Sequence, residues 1–176
     1  MDGYWNLPKE TNEIIRDGWL HTGDIGILDF DGYIEITDRK KDIIVNSGGD
    51  NISPARIEGM LTALEEIDQA MIIGDKRPHL VALVVPSLDF ASAWAARNKT
   101  IQSLETLIHN NEFIEDINRS VDLVNKRLSV IEKVRKVILI PDPFSVENGM
   151  MTPTLKLRRH KILSHFNEEL KAAYGG

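Results

Sequence analysis

Three short stretches hold the residues whose types and spacing could do chemistry. They are GWLHTGDIG at 18–26, DRKKDIIVNSGGDNISPARIE at 38–58 and MTPTLKLRRHKI at 151–162. The first contains Asp24, whose ionised carboxylate can only accept hydrogen bonds. The second places a basic cluster directly before two glycines, which allow a backbone to approach a ligand closely. The third sets Lys156 among further cations, where it is either a solvated loop residue or a group that acts on an anion.

The familiar catalytic signatures are missing from the sequence. His160 and His165 are five residues apart, so they do not share a helix face as zinc ligands four residues apart do. No GxSxG elbow, Walker loop or GxGxxG after a strand occurs. The sequence therefore gives no support to a hydrolase, a P-loop enzyme or a dinucleotide-binding domain, and it predicts no metal site.

Composition limits the remaining function classes. Of the 176 residues, 42% are hydrophobic and 27% are charged, which is typical of a globular protein. A net charge of −6 argues against nucleic-acid binding, because phosphate binding needs a basic face. The chain has no cysteine, which suits a reducing compartment and makes the cytoplasm the expected location. The longest apolar stretch, near LVALVVP, is far too short for a transmembrane segment.

The elements that must position these residues begin with two hairpins. Alternating character on both sides of Asp31 and Gly32 predicts a hairpin that ends near Asp38. A short strand at 43–46 then returns past the glycines at 48 and 49. A helix follows, because Ser53 can cap it, Pro54 suits its first position and an apolar face recurs at spacings of three and four. That face consists of Ile57, Met60, Leu61 and Leu64.

The rest of the chain predicts a sheet with helices. The runs at 69–75 and 79–86 read as paired strands, and the second is apolar on both faces, as a central strand is. A further strand is predicted within 134–144, where Pro141 and Pro143 end it. Apolar periodicity predicts helices at 91–97, 113–131 and 160–174.

The helix at 113–131 leaves an alternative open. Its apolar residues alternate spacings of three and four, as they do in a coiled coil. Fewer than three heptads are present, however, and that is short of what a coiled coil requires. A helix lying on a sheet is therefore the preferred interpretation.

Taken in order, these motifs resemble a known family. GWLHTGD, a DFDGY hairpin, DRKKDIIVNSGGDNISPARIE and a late TPTLKLRR resemble the carboxyl-terminal part of an AMP-forming acyl-CoA synthetase of the adenylate-forming superfamily. The resemblance covers nearly the whole chain, including the opening GYWNLPKET. TPTLKLRR is similar to the long-chain fatty-acid branch, although Leu155 stands where many members have glycine.

The resemblance implies a fold and a domain organisation. It implies an α+β chain in which residues 1–40 are a β-rich remnant of a large N-terminal domain. Residues 41–176 would be a mobile C-terminal domain with a short β-hairpin and a mixed sheet flanked by helices. The family's glycine-rich loop for the ATP phosphates and its acyl pocket belong upstream, so the resemblance also implies a missing N-terminal domain.

The resemblance further implies substrates and roles for the residues that touch the nucleotide. The substrates would be ATP with Mg²⁺, a fatty acid and CoA. Lys156 matches the lysine that assists attack of a carboxylate on the α-phosphorus, a step in which two anions must approach each other. Asp24 matches the carboxylate that accepts hydrogen bonds from the ribose hydroxyls, and Arg39 matches the arginine on the same nucleotide.

The remaining roles belong to the second half-reaction. Lys41 falls at the family's hinge, where backbone torsions change as the C-terminal domain swings between the two steps. Ser47, Gly48 and Gly49 resemble the loop that lines the pantetheine tunnel of CoA. The basic cluster would then span a joint, with nucleotide binding before it and thiol transfer after it.

Two other function classes remain open. An adenylation domain that loads a carboxylate onto a carrier protein would share the fold, and activity with free CoA would separate it from a synthetase. A non-catalytic nucleotide-binding or interaction module would lack a phosphate loop upstream in its gene.

Overall fold

The computed structural model describes residues 1–175 and divides the chain into two compact units, residues 1–43 and residue 44 onward. Both units combine helices with small sheets, so the α+β class is confirmed. No helix within residues 1–175 is long and apolar enough to cross a membrane.

The first unit is built around two hairpins. Helix α1 (Pro8–Ile14) precedes the antiparallel strands β1 (Ile15–Arg16) and β2 (Trp19–Leu20). Strands β3 (Asp24–Leu28) and β4 (Ile34–Arg39) form the hairpin that the sequence predicts. Gly32 lies in its turn at φ +86°, a conformation that glycine adopts readily. Helix α1 and the β1–β2 pair are not predicted from the sequence.

The first unit has no core of its own. Throughout residues 1–43, all of which are described, no hydrophobic side chain is buried. Phe30 is fully exposed, and Tyr33, Ile34 and Ile36 on the same hairpin are each at least 60% exposed. Because burial of apolar surface is the main force that stabilises a fold, this unit gains little from its own side chains.

Limited proteolysis should distinguish the two units in the isolated chain. We expect trypsin to cut first within residues 1–43, because a segment without buried hydrophobic side chains opens at little cost in free energy. A fragment that begins near residue 44 should resist digestion, and mass spectrometry of a digestion time course would identify it. Early cleavage within the second unit, with residues 1–43 intact, would contradict this expectation.

The second unit opens with the predicted short hairpin and helix. Strands β5 (Ile44–Val45) and β6 (Asn51–Ile52) pair antiparallel and lead into α2 (Pro54–Thr62). The Ser53 hydroxyl accepts a hydrogen bond from the Arg56 amide at 3.4 Å, so the predicted cap is confirmed.

A three-stranded mixed sheet forms the centre of the second unit. Strands β7 (Ile67–Ile73) and β8 (Leu80–Pro86) are antiparallel, and β9 (Val134–Leu139) lies parallel to β8 on its other side. Every residue of β8 is buried, which confirms the predicted central strand. Side chains from the two faces of the sheet belong to two separate hydrophobic clusters.

The helices cover both faces of this sheet. They are α3 (Leu88–Arg97), α4 (Leu104–Leu107), α5 (Asn111–Asn125), α6 (Arg159–His165) and α7 (Asn167–Tyr174), with a 3₁₀ turn at Val130–Glu132. Helix α5 contributes Phe113, Ile117 and Val121 to the same cluster as strands β7 and β8. It therefore packs on the sheet, and the coiled-coil alternative is wrong.

Several helix boundaries differ from the prediction: α3 begins at Leu88 rather than at residue 91, and α5 begins at Asn111 rather than at residue 113. Helix α5 ends at Asn125 rather than near residue 131, because the Asn125 side chain accepts from the Val134 amide and donates to the Val134 carbonyl, each at 2.9 Å. The predicted helix at 160–174 is two helices, since the backbone at Phe166 (φ −96°, ψ 26°) leaves the helical range between them. Helix α4 is not predicted.

Candidate functional site

The two residues proposed to bind the nucleotide lie side by side. Asp24 and Arg39 are directly paired at the ends of β3 and β4, and their side chains form an ion pair with Nε 3.0 Å from Oδ1. The Arg39 side chain is 61% exposed and that of Asp24 is 25% exposed, so the pair contributes little to stability. The Asp38 carboxylate accepts the Arg39 amide at 2.6 Å. At this end of the hairpin, Asp24 thus offers hydrogen-bond acceptors and Arg39 offers several N–H donors.

Lys41 lies in the turn that follows this hairpin. The Asp42 and Ile43 amides both donate to the Arg39 carbonyl, at 2.9 Å and 3.2 Å, and the Lys41 side chain is exposed. The compact units divide two residues beyond Lys41. A hinge at Lys41, and domains at 1–40 and 41–176, stay predictions.

The glycines at 48 and 49 lie in the loop between β5 and β6, and glycine is favoured at each position for a different reason. Asn46 shapes the loop, since its Oδ1 accepts from the Gly48 and Asp50 amides at 2.9 Å each. A Cβ on Gly48 would lie only 3.2 Å from that oxygen. Gly49 has open space around it but a φ of +87°, which strains other residues. At Gly48 and Gly49 the loop therefore presents exposed backbone without side chains.

The turn between β7 and β8 anchors this glycine loop. The Val45 amide donates to the Asp75 carboxylate at 3.3 Å, and the Lys76 amide donates to the Val45 carbonyl at 2.7 Å. The Ser47 amide donates to the Arg77 carbonyl at 3.0 Å. Sequence reasoning missed Asp75 and Asn46; only Asn46 carries a local signal, because an asparagine two residues before a glycine often forms an Asx turn.

The same turn is tied to α7. The Arg77 guanidinium lies 4.7 Å from the centre of the Tyr174 ring, and the Tyr174 hydroxyl lies 3.1 Å from the Ile73 carbonyl and 3.2 Å from the His79 carbonyl. Burial raises the pKa of Tyr174 to about 12, although the charge of Arg77 opposes the shift. Burial, with Lys136 and Arg135, lowers the pKa of His79. These contacts hold the β7–β8 turn, which anchors the glycine loop.

Lys156 lies in a tight loop closed by the bridge between Met151 and Leu157. The Thr152 hydroxyl accepts the Lys156 amide at 3.1 Å, and the Thr152 amide donates to the Lys156 carbonyl at 2.9 Å. Leu155 adopts φ +58°, so it keeps the left-handed conformation that a glycine would favour, at a cost of roughly 1–2 kcal/mol. The Lys156 side chain is exposed, and within residues 1–175 its ammonium has no hydrogen bond or ion pair.

The fold and these loops are similar to those of the carboxyl-terminal portion of adenylate-forming enzymes. The adenylation domain of a carboxylate reductase from Mycobacterium chelonae is a solved structure that matches with a TM-score of 0.82 and 25% identity, over 99% of this chain and 26% of that one. The resemblance inferred from the motifs is confirmed.

More particularly, the chain belongs to the AMP-binding enzyme C-terminal domain family, whose model matches residues 41–176. Long-chain-fatty-acid–CoA ligase FadD15 of Mycobacterium tuberculosis is 36% identical over 99% of this chain. Long-chain-fatty-acid–CoA ligase 5 of Mus musculus is 35% identical over 98% of it. The chain spans 29% of the first relative and 26% of the second.

Proposed function

We propose that this chain is the carboxyl-terminal part of an ATP-dependent ligase that activates a long-chain fatty acid as acyl-AMP and transfers it to CoA. The observation that carries the proposal is that one compact unit holds two different reactive loops. One presents the Lys156 ammonium without an ion-pair partner among the described residues, and the other presents bare backbone at Gly48 and Gly49. Relatives that are 35–36% identical to this chain are named as long-chain fatty-acid–CoA ligases.

In the proposed first step, a fatty-acid carboxylate oxygen attacks the α-phosphorus of ATP. An oxygen–phosphorus bond forms while the bond to pyrophosphate breaks, and the Lys156 ammonium offsets the negative charge that gathers there. Asp24 would accept hydrogen bonds from the ribose hydroxyls, with Arg39 as a donor beside it. Mg²⁺ would arrive with ATP as part of the substrate.

In the proposed second step, the thiol of CoA attacks the carbonyl carbon of the acyl-adenylate. The thiol loses its proton, a carbon–sulfur bond forms and AMP leaves. Ser47, Gly48 and Gly49 would line the path of the pantetheine arm, because a backbone without side chains leaves room for it. Rotation about Lys41 would exchange the Lys156 loop for the glycine loop.

We also propose that residues 1–40, which lie in the first compact unit, are the β-rich end of a larger N-terminal domain. The absence of any buried hydrophobic side chain in this segment supports the proposal, because the exposed faces of its hairpin would need apolar surface supplied by other parts of a protein. A cytoplasmic location, where ATP and CoA are available, completes the proposed setting.

An assay of the full-length protein tests this function. With ATP, Mg²⁺ and a long-chain fatty acid, we expect pyrophosphate release, and added CoA should yield acyl-CoA and AMP in equal amounts. The present chain alone should release no pyrophosphate above background, because Lys156 has nothing to orient without opposing ATP and acyl sites. Release by the isolated chain, or none from the full-length protein with any fatty acid, would overturn the proposal.

The match to a carboxylate reductase adenylation domain supports a second candidate, transfer of the acyl group to a carrier protein. Pyrophosphate release without acyl-CoA formation, combined with acylation of a carrier protein, would favour this alternative. Nucleotide binding without either reaction would favour a non-catalytic module.

A further inference from the structure

At one edge of the central sheet, two charged side chains bind the backbone groups of Ile72. Strand β7 lies at the end of the order β7-β8-β9. The Ile72 amide donates to Glu58 Oε1 at 2.7 Å, and the Ile72 carbonyl accepts from Arg159 Nη1 at 3.1 Å. The backbone groups of an exposed edge strand usually bind water or another strand. Here the backbone groups of Ile72 instead bind the side chains of Glu58 and Arg159.

The same two side chains also bind each other. Arg159 Nη2 lies 2.7 Å from both carboxylate oxygens of Glu58. The side chains of Arg159 and Glu58 are only 24% and 14% exposed. Loss of either partner would leave the other charged, partly buried and unpaired. Glu58, Arg159 and the Ile72 backbone thus form one closed network.

This network involves the segments that follow the Lys156 loop and the glycine loop in the chain. Arg159 is the first residue of α6, three positions after Lys156. Glu58 lies in α2, the helix that follows the glycine loop through β6. Ile72 lies in β7, next to the turn whose Asp75 and Arg77 hold the glycine loop. The network therefore connects α6, which follows the Lys156 loop, and α2, which follows the glycine loop, to β7. Strand β7 leads into the turn that holds the glycine loop.

We propose that Glu58 and Arg159 are positioning residues that fix the Lys156 loop and the glycine loop as parts of one rigid body. The inference rests on the two-step reaction proposed above. Neither side chain would touch a substrate. Their role is to ensure that a rotation of the domain delivers each loop at the same depth and angle.

The need for such a clamp follows from the geometry of the Lys156 loop. The loop is closed locally by the bridge between Met151 and Leu157 and by the bonds of Thr152, and the Arg158 amide at its end donates to the Met150 carbonyl at 2.8 Å. Its direction therefore depends on where α6 begins. The Arg159 contacts fix that point together with the buried Ile162 side chain of α6. Since a misplacement of about 1 Å can cost a reaction roughly 10²-fold, a small rotation of α6 would be felt in the chemistry.

The test uses the full-length protein and measures each half-reaction separately. We expect Glu58→Gln and Arg159→Lys each to lower kcat for adenylate formation by roughly 10-fold to 10²-fold, with the KM for ATP nearly unchanged. Thioester formation from preformed acyl-adenylate should also slow, because both loops share the clamp. The double variant should be no slower than the worse single variant, since residues that act as a unit are not additive.

A matched control lies on the same helix. Arg56 of α2 pairs with Glu132 across the surface, and Arg56→Gln removes this ion pair without touching β7. It should leave both kcat values unchanged. Near-UV circular dichroism at the assay temperature identifies the folded fraction, so every rate is taken per folded molecule.

The outcomes separate this inference from the proposed function. If the unaltered protein makes neither acyl-adenylate nor thioester, the proposed function fails first. If it performs both steps, and Glu58→Gln and Arg159→Lys lower only the melting temperature, the clamp is merely structural and the inference is overturned. Losses in kcat that multiply in the double variant would also overturn it.

Discussion

Replacement of Lys156 by alanine in the full-length protein is expected to slow acyl-adenylate formation by roughly 10²-fold to 10³-fold, the effect of removing one preorganised charge-stabilising donor. Thioester formation from chemically prepared acyl-adenylate and CoA should proceed near the normal rate. The two steps differ because the ammonium would offset charge only while the carboxylate and phosphate approach each other. Pyrophosphate release and acyl-CoA formation measure the steps separately.

Lys156→Ala should remove the ammonium without disturbing the conformation of the loop. The loop is held by the backbone of Lys156 and the hydroxyl of Thr152, not by the Lys156 side chain. Alanine should therefore leave the bridge between Met151 and Leu157 in place and the melting temperature nearly unchanged. Lys161→Ala offers a control, because Lys161 is another exposed cation in the same segment but lies on α6. Equal losses in both steps with a folded protein would contradict the two-orientation mechanism.

Local patterns predicted those elements whose structure is determined locally. Asp31 and Gly32 mark the β3–β4 turn, Ser53 and Pro54 start α2, and the unbroken apolar run of β8 signals a strand buried on both faces. The errors arise where distant contacts decide. Helix α5 ends early because Asn125 binds the backbone of Val134, a contact that no periodicity reveals.

The residues of the candidate site fall into the same two groups, those with a local sequence signal and those without one. Asp24, Arg39, Gly49 and Lys156 stand in short motifs, so a resemblance could suggest them. Asp75 and Arg159 were missed because their partners are remote in sequence, whereas Asn46 was missed although its partners are local. Arg159 and Glu58 are 101 positions apart, and each alone reads as an ordinary surface charge. A single sequence contains no signal for such a pair. The structure shows that both side chains bind the backbone of Ile72 at the edge of the sheet.

The second large effect is expected at Gly49, where leucine should slow thioester formation by roughly 10²-fold while sparing adenylate formation. Two causes must be separated in such a variant. The φ of +87° strains any side chain, and a long side chain would also fill the proposed path of the pantetheine arm. The rate of acyl-CoA formation from preformed acyl-adenylate is the measurement.

Gly49→Ala separates the two causes, because the structure places no atom within 4 Å of a Cβ at this position. Alanine therefore bears the backbone strain, roughly 1–2 kcal/mol, but adds almost no bulk. If crowding of the pantetheine arm is the reason for glycine here, alanine should lower the melting temperature as leucine does and yet retain most of the thioester rate. Equal loss of that rate in both variants would mean that the backbone conformation matters and the open space does not. A normal rate in the leucine variant would remove the glycine loop from the CoA path, while leaving the role of Lys156 in the first step intact.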